Sequence, residues 1–406
     1  MARRPALTLG DIQRAAEVVS TVAHETPLLT SRTLSELTGA QLLLKAENLQ
    51  RTGSFKIRGA SFKLSTLSAS QRTAGVVAAS AGNHAQGVAL AAADAGIPCR
   101  VVMPVQASMT KVAATRAYGA EVILHGATFD EAQRRARDLA EDQGLTLIPA
   151  FDDVTVIAGQ GVVGLELCRQ APDFDMVIVP VGGGGLISGI ATAVKALRPG
   201  TLVVGAQVEA ATVAAQSFAS GRRTSVTPQP TLADGVAVGQ PGAIPLRIMR
   251  DSVDEIVTVT DREVAWAIAL LLERTKLLVE GAGAVGLAAL LSGRVRAAGK
   301  TVAVVLSGGN IDPVLLGRIL DHGLARQGRF VLLNIILPDA PGGLSRVLRL
   351  VADAGANVVD IVHHRHGPEV LLGRVRVEIL AETGDQEHVA RLTKQIRSAG
   401  FDLLDP

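Results

Sequence analysis

Aromatic side chains make up only 2% of this 406-residue sequence, with a single Trp and a single Tyr. A core so poor in rings must be filled by aliphatic residues, largely Ala, Val and Leu, within the 48% apolar content. That favours helix-on-sheet packing over an all-β sandwich. Cysteine is almost absent. Cys99 and Cys168 sit among aliphatic residues and read as small buried hydrophobes in a reducing compartment, not as a disulfide or metal site. Neither sign of charge is in excess, with Lys+Arg 40 against Asp+Glu 38. No basic block interleaved with aromatics occurs, so nucleic acid is not an expected partner. Apolar runs such as Val264–Leu272 fall short of the roughly 20 residues that cross a bilayer. Arg3 and Arg4 are followed by no apolar segment, and Asp11 and Glu17 interrupt that stretch, so no signal peptide is expected. A cytoplasmic chain with no membrane partner is the expectation, and its length suits two or three domains.

What is present is alternation. Short β-branched runs are expected as strands at Leu42–Glu47, Gly75–Ser80, Arg100–Val105, Glu121–His125, Leu145–Ala150, Met176–Val181, Leu202–Val208, Glu255–Val259 and Thr301–Ser307. Helical patterns fall between them, as at Ala85–Ala95, Phe129–Gln143, Ile187–Leu197 and Arg262–Leu278. Many of the strands are continuously apolar, as strands buried on both faces are. The fold class is therefore α/β with doubly wound, mostly parallel sheets. Residues 323–329 read as a polar, flexible linker. Beyond them, strands at Phe330–Leu337, Asn357–His364, Leu371–Ile379 and Phe401–Leu404 alternate with helices at Gly343–Ala354 and Gln386–Ser398. This βαββαβ order is that of a ferredoxin-like sandwich.

Four segments carry chemistry, each at the end of a strand or the start of a helix. In Thr52-Gly53-Ser54-Phe55-Lys56, Ser54 is a good helix N-cap. Lys56 would then sit in the first turn, where the helix dipole disfavours a second positive charge and favours a neutral amine. Read alone, Lys56 fits a solvated surface lysine at least as well. Ser80-Ala81-Gly82-Asn83-His84 follows a strand and opens a helix, which puts bare N–H groups where open α/β sheets bind ligands and would suit a carboxylate. His84 invites a general-base role, although a helix-start histidine satisfied by its neighbours is the commoner case. Gly182-Gly183-Gly184-Gly185-Leu186 lets N–H groups converge at a helix N-terminus and makes a phosphate cradle. Gly183, Gly185 and Gly189 with Glu209 twenty residues on also suggest a dinucleotide site, and the run alone leaves both readings open. Ser307-Gly308-Gly309-Asn310 closes the last strand of the large region, and Glu280 is either a buried acid or a cap.

Together these segments resemble the fold-type II pyridoxal-phosphate enzymes, most closely the catabolic threonine dehydratases (threonine ammonia-lyases). The motifs run in family order over about residues 5–320, and they explain the glycine run along with the other three segments, against the dinucleotide reading. The resemblance implies a two-lobed, tryptophan synthase β-like catalytic region over residues 1–322, with a smaller lobe inserted at about 48–152. It implies that Lys56 forms the internal Schiff base of pyridoxal 5'-phosphate, that Asn83 bonds the ring hydroxyl, and that Gly182, Gly183, Gly184, Gly185 and Leu186 hold the phosphate. Ser307 would face the pyridine nitrogen, Phe55 and Glu280 would lie against the cofactor, and Ser80, Ala81, Gly82, Asn83 and His84 would clasp the substrate carboxylate. A serine at the ring nitrogen makes a weaker electron sink than an aspartate and lets loss of a β-leaving group compete. Lys56 then removes the Cα proton. Threonine would yield 2-oxobutyrate and ammonia, and serine pyruvate and ammonia.

Two departures narrow this. Serine racemases of the fold carry a second serine where Ala81 stands, which argues against efficient racemisation. They also bind a divalent cation through a Glu and an Asp six residues later; Glu209 is followed there by Ala215, so no metal is expected. Sulfhydrylases of the fold have different lysine and asparagine segments. Residues 330–406 resemble an ACT domain through Asp339-Ala340-Pro341-Gly342-Gly343-Leu344 and Gly355-Ala356-Asn357-Val358. That resemblance implies pairing across chains in a homodimer or homotetramer and an amino-acid or nucleotide effector, with a ligand-free dimerisation module as the alternative. His363-His364-Arg365-His366 is too compact for a metal cage and reads as a solvated edge. Besides the dehydratase, a serine racemase or serine dehydratase and a non-catalytic amino-acid sensor stay open. The sensor is disfavoured by the joint presence of Lys56, Asn83 and Ser307.

Overall fold

The computed structural model describes residues 7–171, 173–326, 328–365 and 372–404, without the side chains of 321–326. Arg3, Arg4, Gln327, His366 and Leu371 therefore lie outside the described residues. The chain divides into two compact units, Met1–Asp312 and Pro313–Pro406.

The first unit is built on two sheets. The larger has strands Leu28–Thr30, Gln41–Lys45, Thr301–Val305, Met176–Pro180, Leu202–Val208 and Glu255–Val259 in that spatial order. All neighbours are parallel except the first pair. Its central strand, Met176–Pro180, is buried along its whole length, as helices on both faces of a parallel sheet require. The smaller sheet is wholly parallel, in the order Glu121–Leu124, Cys99–Met103, Val76–Ala79 and Thr146–Leu147. Two long helices cross closely because glycine meets glycine. A Cβ on Gly189 would lie 2.5 Å from the Gly161 nitrogen, so Gly185–Leu197 packs backbone to backbone against Val154–Gln170.

The α/β class and the parallel sheets agree with expectation, and the differences have local causes. Leu28–Thr30 is an antiparallel edge strand of three residues, too short for a periodicity to register. The strand expected over Leu145–Ala150 pairs only at Thr146–Leu147, because the chain then leaves the small sheet and crosses to the larger lobe. The helix expected over Arg262–Leu278 is α-helical only for Asp261–Leu270. It widens to a π turn at Leu271–Thr275 and stops at Lys276, whose φ of 62° is left-handed.

In the second unit, Phe330–Pro338, Asn357–His364, Arg374–Glu382 and Asp402–Leu404 form an antiparallel sheet ordered second, third, first, fourth, with helices Gly343–Asp353 and Gln386–Ser398. This is the βαββαβ sandwich. The segment expected to be a flexible linker is helical through Arg326, at the end of helix Pro313–Arg326. No helix among the described residues is long and apolar enough to cross a membrane.

Candidate active site

Lys56 is the first residue of helix Lys56–Ser65. The turn before it is stitched to the carboxyl end of Thr301–Val305: Phe55 N–H donates to the Ser307 carbonyl at 3.2 Å, Gly309 N–H to the Gly53 carbonyl at 2.8 Å, and Ser54 bridges Gly308. These bonds bring the lysine and serine segments, about 250 residues apart in sequence, onto one sheet edge. They also overturn one local expectation. Ser54 is not the N-cap; Phe55 holds that position with no side-chain cap, and Ser54 Oγ is buried without a partner. The helix begins one residue later than an N-cap at Ser54 requires, and the Ser54 backbone is engaged in the Gly308 bridge.

Lys56 Nζ donates to the Ala150 carbonyl at 3.2 Å and lies 4.9 Å from the Phe55 ring centroid. Its pKa falls to about 8, chiefly through burial, with the nearby Glu280 carboxylate pulling the other way. Burial, not the helix dipole invoked from sequence, is the principal cause. Asn83 opens helix Asn83–Asp94 and donates from Nδ2 to Glu280 Oε1 at 2.5 Å. Glu280 precedes helix Gly281–Leu291 but makes no side-chain cap bond, so it is a buried acid. Burial and the negative charge of Asp234 raise its pKa to about 7, against the Asn83 bond and the charges of Lys111 and Lys56. Ser307 is buried, and its Oγ lies 3.5 Å from the Ala282 carbonyl.

The carboxylate loop is less bare than expected, since Gly82 N–H is taken by Ser80 Oγ at 3.1 Å. Ala81 packs against a core cluster that holds Val76, Ala78 and Val101 of the small sheet. His84 is buried with Nε2 2.9 Å from the Ile148 carbonyl. Burial and the neighbouring Lys56 push its pKa down to about 3. A neutral ring beside a carbonyl must carry its proton on Nε2 and donate it there. His84 thus ties the asparagine loop to the crossing segment, as a satisfied core histidine does.

The glycine run tests whether a phosphate fits. Gly184 has φ +93° and caps Gly185–Leu197. A Cβ on Gly183 would lie 2.3 Å from the Phe151 ring, on Gly185 3.0 Å from Phe151, and on Gly182 3.0 Å from Val236. A side chain at any of these three glycines would therefore press on Phe151 or Val236, which leaves bare backbone there, and first-turn N–H groups have no intrahelical acceptor. A cradle only glycine can line, together with a buried amine of lowered pKa, fits pyridoxal phosphate. The residues of the dinucleotide reading are otherwise engaged: Gly189 serves helix packing, and half-exposed Glu209 pairs with Arg294 at 3.6 Å.

Residues that sequence reasoning passed over complete the site. Phe151 covers the glycine run, and Asp152 beside it accepts from Ala243 N–H at 3.0 Å and Ile244 N–H at 2.9 Å. Lys111 on helix Met109–Ala117 of the small lobe pairs with Asp234 of the large lobe at 2.7 Å. Deeper lies a buried quartet. Arg58 donates to Glu47 at 2.8 Å and to Glu166 at 2.6 Å, and Lys45 donates to Glu166 at 2.6 Å. Charged residues in otherwise apolar elements were the only available signal for it. No group of three or more His, Cys, Asp or Glu side chains among the described residues could hold a metal. In the second unit His364 faces Glu378 at 3.4 Å.

Residues 19–308 match the model of the family described as pyridoxal-phosphate dependent enzyme, and residues 331–401 match the ACT domain. The chain belongs to the pyridoxal-phosphate-dependent enzymes, in their fold-type II form, and carries a C-terminal ACT domain. Among individual proteins, it is 47% identical to the L-threonine ammonia-lyase of Thermotoga maritima, over 98% of this chain and 99% of that protein. The crystal structure of a T.th. threonine deaminase shares 48% identity and a TM-score of 0.71, covering 75% of this chain and 99% of that one. Serine racemase from Dictyostelium discoideum shares 37% identity and a TM-score of 0.72, over 76% and 99%.

Proposed function

We propose that this enzyme is a lyase that eliminates water from L-threonine, the resulting enamine then being hydrolysed to 2-oxobutyrate and ammonia, and that it also converts L-serine to pyruvate and ammonia. One observation carries the reading: a lysine amine of lowered pKa, an asparagine amide and a neutral serine hydroxyl meet at the carboxyl edge of the sheet beside a glycine cradle. Near-full-length identity to an L-threonine ammonia-lyase supports the choice of substrate.

Bound pyridoxal phosphate supplies the electron sink that makes the substrate Cα–H acidic. The chain's own residues do the rest. Lys56 holds the cofactor, and with a pKa near 8 its released amine is partly neutral at neutral pH and accepts the Cα proton. The Ala150 carbonyl orients that amine. Gly182, Gly183, Gly184, Gly185 and Leu186 bind the phosphate through N–H groups, Asn83 donates to the ring oxygen, and Phe55 packs beside Lys56. Ser307, a hydroxyl, would enforce no proton at the ring nitrogen, which would favour loss of the β-hydroxyl as water. Ser80, Ala81, Gly82, Asn83 and His84 form the carboxylate loop.

A racemase reading has the support of the racemase neighbour. It requires an acid on the face opposite Lys56, and Ala81, a methyl packed on the core, supplies none. Incubating the loaded enzyme with L-threonine and L-serine and measuring keto acid and ammonia tests the proposal. Absence of keto acid from both substrates refutes it. The same proposal includes a cytoplasmic location, consistent with free Cys99 and Cys168, division into catalytic 1–322, linker 323–329 and ACT 330–406 segments, and a homodimer or homotetramer with an effector at the ACT unit.

A further inference from the structure

Asn310 belongs to no role described so far, yet its amide ends a directed row of hydrogen bonds. Its Nδ2 lies 2.7 Å from the Thr52 carbonyl oxygen and 2.8 Å from Asn83 Oδ1. A backbone carbonyl only accepts, so the Asn310 atom facing Thr52 must be nitrogen. Its second N–H then demands an acceptor, which makes the Asn83 atom it meets the oxygen. The Asn83 nitrogen is left facing Glu280 Oε1 at 2.5 Å, with one N–H over. The turn that presents the Thr52 carbonyl is moulded on Asn310. Gly53 has φ +69°, and a Cβ there would lie 2.4 Å from Asn310 Oδ1.

We propose that Asn310 is a positioning residue that fixes which end of the Asn83 amide faces the cofactor, so that an N–H and not a carbonyl meets the ring oxygen. This rests on the reading that Asn83 donates to pyridoxal phosphate. Asn310→Asp is nearly isosteric but offers only acceptors when ionised. Asn83 would then turn its nitrogen toward position 310 and its oxygen toward Glu280 and the cofactor. Asn310→Ala removes the constraint without reversing it.

The test is a fluorescence titration of apoenzyme with pyridoxal phosphate, together with the absorption spectrum of the bound cofactor and the thermal midpoint of each apoprotein. The loss of one oriented hydrogen bond corresponds to about tenfold in affinity. Asn310→Asp should weaken binding by about that factor and shift the absorption band, with Asn310→Ala between it and the parent. In an Asn83→Ala background, Asn310→Asp should change affinity by less than about twofold. Parental affinity and spectrum in Asn310→Asp overturn the proposal, as does an undiminished loss in the Asn83→Ala background. If Asn310→Asp does not fold, Asn310→Ala with parental affinity overturns it equally. Parental behaviour of Asn83→Ala alone refutes the underlying reading of Asn83, an outcome distinct from an Asn310 effect that bypasses Asn83.

Discussion

Replacing Arg58 with methionine should strongly destabilise the catalytic unit. Arg58 and Glu47 are fully buried, with Lys45 likewise at 0% exposure and Glu166 at 7%. The guanidinium bonds both carboxylates and the His24 carbonyl. Two cations face two anions, so the cluster is neutral; Arg58→Met leaves it with one uncompensated negative charge. Breaking a buried pair in this way costs about 3–5 kcal/mol, a large part of the roughly 5–15 kcal/mol that holds a protein folded. Adding Glu47→Gln restores neutrality around Lys45 and Glu166, so the double variant should be more stable than the single one. The pH dependence should also reverse. Burial alone would raise the Glu47 pKa, but Arg58 and Lys45 outweigh it and hold it below 4.5. In the parent, Glu47 therefore contributes stability above its ordinary pKa that is lost as pH falls through the folded value. In Arg58→Met burial gains the upper hand, and stability should instead fall as pH rises. Urea unfolding of the apoprotein across pH reads all three effects. A cost under about 1 kcal/mol, or a double variant no better than the single, would refute the reasoning. Because Arg58 lies two residues after Lys56 on the same helix, cofactor loading should fall with stability.

Lys56→Ala should abolish keto-acid formation and the borohydride-reducible link to the cofactor; turnover in this variant would remove Lys56 from its role. Gly183→Ala drives a methyl into the Phe151 ring and should weaken cofactor binding about tenfold or more, with partial recovery when Phe151→Ala is added, as read by titration of the apoenzyme. Glu280 titrates at about 7 in place of 4.5, so ionising it in place costs about 3 kcal/mol. That stability is present below its ordinary pKa and is lost as pH rises through about 7. Glu280→Gln should flatten the pH dependence of apoprotein unfolding over this window, and an unchanged profile would disprove the buried-acid assignment.

The class of fold was legible in local pattern, and so were the segments proposed here to form the site. Buried strands such as Met176–Pro180 show as continuous apolar runs, and the glycine run, the lysine turn and the Ser-Gly-Gly-Asn end each carry a local backbone signature. Pattern reading failed where the cause was not local. Ser54 looks like an N-cap, yet a bridge to Gly308 takes its backbone. Residues 271–278 continue a helical pattern, yet a π turn and a left-handed Lys276 redirect the chain toward Glu280. The pKa of Lys56 depends on burial and on a carboxylate more than two hundred residues away in sequence, and nothing in its own segment reports either. Phe151, Asn310 and the Lys45–Glu47–Arg58–Glu166 cluster acquire their meaning only across lobes and loops. Identity along the chain fixed which groups were available. Which way the Asn83 amide points, whether His84 is charged, and what Lys56 faces were decided by tertiary structure, because solvation and hydrogen-bond direction are set by neighbours in space.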